Sequence, residues 1–567
     1  MSCLFNSFDP YFKQPFGAVR AGQSVRLSLC VPEDLGYVDP HLVLQKEGKF
    51  DVPVYYRMNF DGQTPKQNHF SVEVALNDPG LYFYYFDLYT DFRRIVRGPD
   101  NCGVVSWQDG EKWQITVYDA AFETPASIKG KVFYQIFPDR FCEGVENKPM
   151  PFPDRIYQAD KHAEPFWQPN EVGGHLNEDY FGGDLKGIQL KLPYLHQMGI
   201  DFIYLNPIFE AHSNHRYNTA DYLNVDPLLG TNEDFETLCA EAKRYGIGIV
   251  LDGVFSHTGS DSRYFNREGR YGEGGVIDTW LRRGAAGFRL DVADELPDEF
   301  IEKIRTAVKR VGPEKFLLGE VWEDATTKYG FNQRRTYLLG KGLDSVMNYP
   351  FKNAVLDFVK GKPAEQAANE ILTICEHYPA PAMDTALNFL STHDTERALT
   401  VIADEPANGR GRQWQSGRCV TGDAYEEGLL RLRMAYAIIY TLPGVPCLYY
   451  GDEIAMQGYR DPFNRAFFRW DAHEQRLRPV LAQLAQLRHT CEAFRTGKLW
   501  VLRAEGGILH YQRIGEVETA EIIVNRTEHI IVETLASGKS TEVNPMGFTI
   551  VVEEVGHNPN HSYYDYV

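Results

Sequence analysis

The chain has 567 residues, of which 43% are hydrophobic and 24% charged, as is typical of folded globular proteins and not of disordered or collagen-like chains. Its 58 Lys and Arg against 78 Asp and Glu give a net charge of −20 at pH 7, which argues against binding to nucleic acid or anionic membranes and favours neutral ligands. No apolar run is long enough to predict a membrane span. The length predicts three domains if one is a large barrel.

The cysteines predict neither a disulfide framework nor a zinc site. Nine are scattered singly along the chain, an odd number with no C-x-x-C pair. The first residues lack the basic start and apolar core of a secretory signal. We therefore expect a reducing compartment, the cytoplasm.

Residues 1–120 alternate between apolar and polar positions. Val25, Leu27 and Leu29 illustrate the period of two, and turn residues such as Asn77 to Gly80 separate the segments. This pattern predicts an antiparallel β-sandwich.

Residues 121–495 show a different pattern, in which short apolar runs alternate with segments of helical period. One such segment, Glu233 to Tyr245, has a single apolar face and is followed by Gly246. A helix over about Gln475 to Glu492 ends the region. Eight strands separated by helices predict a TIM (β/α)8 barrel, an α/β fold. The predicted strands are Val132–Phe137, Phe202–Leu205, Ile247–Leu251, Phe288–Asp291, Phe316–Glu320, Leu343–Met347, Ala386–Leu390 and Pro446–Tyr450. Strand patterns return over residues 496–567 and predict a C-terminal β-sandwich.

Polar residues end four of the predicted barrel strands, at the face where such barrels carry their active sites. Arg289 and Asp291 lie two positions apart on one strand, so their side chains point to the same side. The four segments are Asp252-Gly-Val-Phe-Ser-His257, Gly287-Phe-Arg289-Leu-Asp291, Gly319-Glu320-Val-Trp322 and Ser391-Thr-His393-Asp394.

A group of carboxylates at one mouth of the predicted barrel favours an interpretation as a glycoside hydrolase. The transition state resembles a cation and the leaving oxygen must be protonated, so a nucleophile and an acid are needed. Arg289 would keep Asp291 ionised, whereas Glu320, in a drier and less cationic place, would hold its proton. The alternative for any one of these carboxylates is a structural role, binding loop amides or pairing with arginine.

The four segments resemble the signature regions of the α-amylase superfamily (glycoside hydrolase family 13), in the order found on strands three, four, five and seven. Flanking motifs resemble the neopullulanase, cyclomaltodextrinase and maltogenic amylase branch, whose members also carry β domains before and after the barrel. These motifs are Tyr134-Gln-Ile-Phe-Pro-Asp-Arg-Phe141, Phe181-Gly-Gly-Asp-Leu-Lys-Gly187, Tyr217-Asn-Thr-Ala-Asp-Tyr222, Val346-Met-Asn-Tyr-Pro-Phe351 and Tyr449-Tyr-Gly-Asp-Glu453.

The resemblance implies a role for each matching position. Asp291 would be the nucleophile, Glu320 the acid/base and Asp394 the stabiliser of the distorted sugar. The implied substrate-binding residues are His257, Arg289, His393, Tyr217 and Asp252. More distant positions, each with an equally plausible structural role, are Trp322, Phe288, Glu295 and Arg465.

The resemblance implies no required cofactor, but a structural calcium ion is an open alternative. Asp184 matches a ligand position in relatives that bind Ca²⁺, whose shell needs several oxygen atoms. The other half of that site is normally rich in Asn and Asp, but here reads Cys142-Glu-Gly-Val-Glu-Asn147. A plain turn at Asp184 is the competing interpretation.

Two departures from the family pattern stand out. Ser256 occupies a position where most relatives have Asn. Asp252 and Asp291 are only 39 positions apart, so the loop subdomain that relatives insert after strand three is shortened here. The stretch Val276 to Arg283 can still form a crossover helix. One wall of the cleft would then be missing, which puts substrate affinity in doubt.

The predicted function is a retaining α-glucan hydrolase acting on α-1,4 and, as an open alternative, α-1,6 bonds in cyclodextrins, pullulan or maltooligosaccharides. Two further hypotheses are a glucan-binding protein with impaired turnover and a related transglycosylase. For the N-terminal sandwich, the resemblance implies either glucan binding or formation of a homodimer.

Overall fold

The computed structural model describes residues 3–48, 52–89, 92–146, 148, 150–151, 153–169, 177–256 and 275–555. Over these residues a closed parallel barrel lies between two β-sheet domains, which confirms the predicted fold class. None of the helices in this part of the chain combines the length and the hydropathy needed to cross a bilayer.

The N-terminal domain consists of two packed sheets. Its strands are β1 (Lys13–Gln14), β2 (Val19–Arg20), β3 (Ser24–Pro32), β4 (His41–Lys46), β5 (Val54–Arg57), β6 (Asn59–Thr64), β7 (Gln67–Ala75), β8 (Gly80–Asp87), β9 (Arg94–Arg97), β10 (Gly103–Ser106) and β11 (Trp113–Tyr118). One sheet has the order β1-β3-β7-β6, and the other has the order β10-β9-β8-β11-β2 with β4 and β5 attached beside β8. The alternating residues Val25, Leu27 and Leu29 are fully buried between the sheets, as their period predicts.

One cysteine pair contradicts the expectation that the chain has no disulfide. Cys3 and Cys102 form a disulfide with their Cα atoms 5.7 Å apart, although 99 positions separate them in sequence. Phe5 lies beside Cys102 because its carbonyl accepts a hydrogen bond from the Gly103 N–H. The other seven cysteines, all in the described part of the chain, are free thiols.

All eight predicted barrel strands are present. The strands of the central domain are β12 (Phe133–Ile136), β13 (Ile156–Tyr157), β14 (Asp179–Tyr180), β15 (Phe202–Leu205), β16 (Phe209–Ala211), β17 (Thr219–Val225), β18 (Gly248–Gly253), β19 (Gly287–Leu290), β20 (Phe316–Gly319), β21 (Tyr329–Gly330), β22 (Gln333–Arg334), β23 (Ser345–Val346), β24 (Leu387–Phe389) and β25 (Val445–Tyr449). The barrel order is β23-β20-β19-β18-β15-β12-β25-β24, and a parallel bridge between Met347 and Leu387 closes it. Large apolar side chains such as Phe133, Phe316 and Phe389 fill its interior.

Helices cover the barrel. They are α1 (Leu185–Leu190), α2 (Leu192–Gln197), α3 (Asn232–Arg244), α4 (Val276–Arg282), α5 (Asp298–Val311), α6 (Tyr349–Lys360), α7 (Ala364–His377), α8 (Ala380–Met383), α9 (Ala398–Ala403), α10 (Arg412–Gln415), α11 (Gly422–Thr441), α12 (Leu477–Thr490) and α13 (Ala493–Thr496). Short 3-10 helices lie at Glu33–Leu35, Pro138–Arg140, Ala293–Glu295, Asp452–Ile454 and Phe463–Arg465. The predicted helix after the second strand is confirmed as α3, which Thr231 and Asp234 begin with a capping box.

The predicted crossover helix between the third and fourth barrel strands is α4. Its apolar residues Val276, Ile277, Trp280 and Leu281 are buried, and the Trp280 indole N–H donates to the Tyr222 carbonyl at 2.7 Å. A short crossover therefore still covers the barrel at this point.

The C-terminal domain shares part of its core with the barrel helices. Its strands are β26 (Lys498–Glu505), β27 (Ile508–Ile514), β28 (Glu518–Asn525), β29 (Ile531–Thr534), β30 (Ser540–Val543) and β31 (Gly547–Glu554). The sheet β26-β27-β28-β31 packs one face on the barrel domain, where Tyr511 and Ile522 belong to the main core. Its other face packs on the β29-β30 pair through Ile523 and Val543.

Candidate active site

Strand register brings Asp252 beside Arg289. Asp252 on β18 pairs with Arg289 on β19, and both side chains are buried at the barrel mouth. Nη1 of Arg289 donates to Oδ1 of Asp252 at 2.8 Å. The other oxygen of Asp252 accepts hydrogen bonds from the hydroxyls of Tyr204 and Tyr217, each at 2.7 Å. Asp252 is therefore held by side chains from the two neighbouring barrel strands and from the loop before β17.

The same guanidinium contacts two further carboxylates. Nη1 of Arg289 donates to Oδ1 of Asp291 at 2.8 Å, as expected for residues two apart on a strand. Nη2 lies 2.9 Å from Oε2 of Glu320, an ion-pair contact without good hydrogen-bond geometry. One fully buried cation thus lies among three acidic side chains.

Glu320 receives several hydrogen-bond donors. Oε2 accepts the backbone N–H of Val292 at 3.0 Å. Oε1 accepts the indole N–H of Trp322 at 3.0 Å and the hydroxyl of Tyr349 at 3.3 Å. These contacts fix the carboxyl group just after β20, facing the end of β19.

Val292 has a backbone conformation that β-branched residues rarely adopt. Its φ of 38° and ψ of 61° lie in the left-handed region. This turn directly follows Asp291 and directs the Val292 N–H to Glu320. The unusual backbone therefore links the two candidate catalytic strands.

The surroundings of Glu320 differ from the sequence-based expectation. We expected Glu320 to be less close to a cation than Asp291, but both contact Arg289. Burial raises the pKa of Asp291 to about 7, since the opposing effect of Arg289 is countered by the negative charges of Asp252 and Glu320. Arg289 acts in the expected direction and lowers the pKa of Asp291, but burial and the two neighbouring carboxylates that share the guanidinium outweigh it.

Asp394 lies in a different electrostatic environment. Burial opposes its ionisation, but His393 and Arg465 outweigh that effect and hold its pKa well below the ordinary value. Nε2 of His393 lies 3.0 Å from Oδ2, and Nη2 of Arg465 lies 3.4 Å from Oδ1. Arg465 is buried and its Nε donates to the His393 carbonyl at 2.9 Å. It is therefore not a surface salt bridge, one of the two interpretations that its sequence left open.

Gln135 orients the imidazole of His393. Its Nε2 donates to Nδ1 of His393 at 2.9 Å and to Oδ1 of Asn206 at 3.0 Å. This contact leaves the other ring nitrogen, Nε2, facing Asp394. The Tyr217 ring lies parallel to the imidazole at 5.3 Å, and its hydroxyl is 2.5 Å from Nε2.

The remaining residues that the sequence suggested for the site differ in burial. Phe288 is fully buried in the core, and Glu295 is exposed. Trp322 is 46% exposed and its ring stacks on Tyr349 at 4.4 Å. His257 lies outside the described residues.

Several residues at the site were not singled out from the sequence. Gln135, Tyr204 and Tyr349 contact His393, Asp252 and Glu320 respectively. Asn206 donates to the hydroxyl of Tyr217. Gln135 and Tyr349 lie within family-like motifs, so those motifs were the available signal. Tyr204 and Asn206 lie at the end of an apolar strand, where Tyr204 resembles an ordinary core residue.

The comparisons with known proteins point to the same family as the sequence motifs do. The family model "Alpha amylase, catalytic domain" matches residues 135–274 and 271–508, two pieces that meet at the short crossover after β18. An amylopullulanase of Thermoanaerobacter thermohydrosulfuricus is 30% identical over 90% of this chain. The chain covers 40% of that protein, and less than half of two other amylopullulanases.

A cyclomaltodextrinase of Geobacillus thermopakistaniensis is 32% identical over 72% of this chain and 70% of its own length. Among solved structures, the type III pullulan hydrolase from Thermococcus kodakarensis matches with a TM-score of 0.63 over 97% of this chain and 99% of that one. At 22% identity, this last likeness concerns the fold alone.

Proposed function

The chain belongs to the alpha-amylase family, and from that premise we propose that it is a retaining α-glucan hydrolase. The observation that carries the proposal is the contact of Arg289 with Asp252, Asp291 and Glu320 at one barrel mouth. Retaining enzymes hold their two carboxyl groups about 5 to 5.5 Å apart, closer than inverting enzymes do. A guanidinium shared by Asp291 and Glu320 keeps the pair close.

Asp291 is the proposed nucleophile. Its carboxylate would attack the anomeric carbon and form a covalent glycosyl-enzyme, which water then hydrolyses. With a pKa near 7, it is ionised above neutral pH. Arg289 contacts one of its oxygens and stabilises that charged form.

Glu320 is the proposed acid/base. It would protonate the leaving oxygen in the first step and deprotonate water in the second. Trp322 and Tyr349 both donate to Oε1, which fixes the direction of the carboxyl group. Asp394, held ionised by His393 and Arg465, would stabilise the positive charge that develops on the sugar ring.

The proposed substrates are cyclodextrins, pullulan and short maltooligosaccharides. These glucans carry no charge, so a chain of net charge −20 does not repel them as it would an anionic polymer. We further propose that α-1,4 bonds are cleaved and that α-1,6 cleavage depends on the shortened crossover after β18. The homodimer expected through the N-terminal domain can be tested by sedimentation of the purified chain.

The test is release of reducing sugar from β-cyclodextrin, pullulan and maltotriose, with Asp291→Asn as the matched variant. We expect turnover by the wild-type chain and a loss of at least about 1,000-fold in the variant, because the nucleophile is removed. The ranking of the three substrates then gives the preferred bond.

Three other outcomes would change the assignment. Binding of glucan without sugar release by a folded wild-type chain would favour a glucan-binding protein. Formation of longer oligosaccharides at high substrate concentration would favour a transglycosylase. Equal turnover by Asp291→Asn would contradict the proposed nucleophile.

A further inference from the structure

A lysine ammonium occupies an oxygen-lined position between three loops next to the barrel. Nζ of Lys148 lies 2.5 Å from Oδ2 of Asp184, 2.7 Å from the Gly182 carbonyl and 3.1 Å from the Leu228 carbonyl. The side chain of Lys148 is 11% exposed and that of Asp184 is 2% exposed. An ammonium group has three N–H donors, so each finds one oxygen acceptor.

The carboxylate in this position has little capacity left for a metal ion. Oδ1 of Asp184 accepts the N–H groups of Gly144 and Gly187 at 3.1 and 2.5 Å. Oδ2 accepts the Val145 N–H at 3.0 Å besides the ammonium of Lys148. Both oxygens are therefore used as hydrogen-bond acceptors.

Calcium would not fit these surroundings. Ca²⁺ takes six to eight oxygen ligands at about 2.3 to 2.6 Å. In the part of the chain that the structure describes, the carboxylate of Asp184 and two carbonyls supply three oxygens around Lys148, and the ammonium stands where the ion would be. Among the described residues, no group of three or more His, Cys, Asp or Glu side chains is arranged to hold a metal.

The backbone around Asp184 is closely packed. Asp184 begins α1 as its N-cap, through the Gly187 N–H. A Cβ at Gly187 would collide with the Cys142 carbonyl, so the loop after β12 crosses the helix start with no space between them.

We propose that the ammonium of Lys148 is a built-in substitute for a structural cation. It joins the loop after β12, the turn before α1 and the loop that carries Leu228, and it neutralises the buried carboxylate of Asp184. The chain consequently needs no divalent metal at this position. Removing the ammonium leaves three oxygen atoms around the space that it occupied, and these atoms could serve as part of the ligand shell of a metal ion.

A neighbouring lysine provides the matched control. Nζ of Lys161 donates to the Phe181 carbonyl and lies 2.9 Å from Oε2 of Glu143. It thus binds the same turn, at the Phe181 carbonyl, and has no contact with Asp184 among its described hydrogen bonds and ion pairs. Replacing Lys161 removes a cation from the same region without opening the oxygen-lined position.

The experiment is thermal unfolding of the full chain in 5 mM EDTA and in 5 mM CaCl₂, for the wild type, Lys148→Met, Lys148→Asp and Lys161→Met. We expect wild-type Tm values in the two buffers to agree within about 1 °C, because the proposal assigns no Ca²⁺ ligand shell here. Loss of one partner from a buried ion pair lowers Tm, and for Lys148→Met in EDTA we expect a fall of about 3 to 6 °C. Lys148→Asp adds a carboxylate, so CaCl₂ should raise its Tm by about 3 °C or more, whereas Lys161→Met should show no calcium response.

Two results would overturn the proposal. The first is a wild-type Tm that falls by several degrees in EDTA and recovers in CaCl₂, since the intact chain would then hold a metal. The second is a Lys148→Met protein that unfolds at the wild-type Tm in EDTA. If neither Lys148 variant folds, the two wild-type measurements and Lys148→Arg, which retains the charge and should remain insensitive to calcium, decide the question.

Discussion

The two halves of the candidate site differ in how many carboxylates share a basic group. On one side, the single guanidinium of Arg289 contacts Asp252, Asp291 and Glu320. On the other side, two basic side chains, His393 and Arg465, contact Asp394. The pKa of Asp291 is raised to about 7, and the pKa of Asp394 is held well below its ordinary value.

This difference shows that a neighbouring arginine does not by itself keep a carboxylate ionised. The number of carboxylates that share the cation decides the direction of the pKa shift, together with burial. Three acidic groups around Arg289 favour retention of a proton near neutral pH. Asp394 has two basic partners, His393 at 3.0 Å and Arg465 at 3.4 Å, although Arg465 also pairs with Asp461 at 2.9 Å.

Arg289→Met should have the largest effect of the variants considered, on the free energy of unfolding. The substitution leaves the buried Asp252, Asp291 and Glu320 without their common cation. Removing one partner of a buried ion pair costs about 3 to 5 kcal/mol of unfolding free energy. Urea denaturation followed by tryptophan fluorescence measures this loss.

Arg465→Gln is the control on the other side of the site. Its partner Asp394 is 32% exposed, so water replaces part of the lost interaction, and we expect a smaller loss than for Arg289→Met. Equal denaturation midpoints for Arg289→Met and the wild type would contradict the assigned role of the shared guanidinium.

The second prediction concerns the pH dependence of kcat/KM. Below its pKa of about 7, Asp291 is protonated and cannot act as a nucleophile, so kcat/KM should fall as the pH is lowered through 7. Asp252→Asn removes a negative charge beside Asp291 and one of the carboxylates that share Arg289. Both changes favour the ionised form of Asp291. The midpoint of the acid limb should therefore move down by about 1 pH unit. An acid limb below pH 5 in the wild type would contradict the prediction.

The third prediction is that Arg465→Gln lowers activity without moving this acid limb. Hydrogen bonds to charged groups contribute about 1.5 to 3 kcal/mol, so we expect kcat/KM to fall by about 10- to 100-fold. Asp394 remains ionised at neutral pH because His393 still lowers its pKa. A midpoint that moved with Arg465→Gln as it does with Asp252→Asn would show that the two halves titrate together.

Much of the fold follows from periodicity in the sequence. The eight apolar runs became the eight barrel strands, because short runs separated by amphipathic helices have few other ways to bury their faces. The disulfide between Cys3 and Cys102 could not be predicted in this way. It depends on the N-terminal segment lying beside a strand about one hundred residues later, and no local pattern records that contact.

The family resemblance named Glu320, Asp394, His393 and Tyr217 as site residues, whereas reasoning from the residues alone predicted proximity only where strand geometry determines it. Alternation places Arg289 and Asp291 on one side of a strand, and register adds Asp252. The sharing of Arg289 with Glu320 could not be foreseen, since it depends on how close the fourth and fifth strand ends approach. Arg465 reaches Asp394 from 71 positions away, and Lys148 reaches Asp184 through a folded loop, so neither contact has a sequence signature.

The smallest effect should come from Trp322→Phe, which tests the direction of the Glu320 carboxyl group. The substitution removes the indole N–H that donates to Oε1 at 3.0 Å, but keeps an aromatic ring to stack on Tyr349. Loss of one hydrogen bond costs about 0.5 to 1.5 kcal/mol, so kcat should fall by about 3- to 10-fold with KM unchanged. Tyr349→Phe removes the second donor to the same oxygen and should act similarly. A rise in KM alone would mean that Trp322 binds sugar and does not orient Glu320.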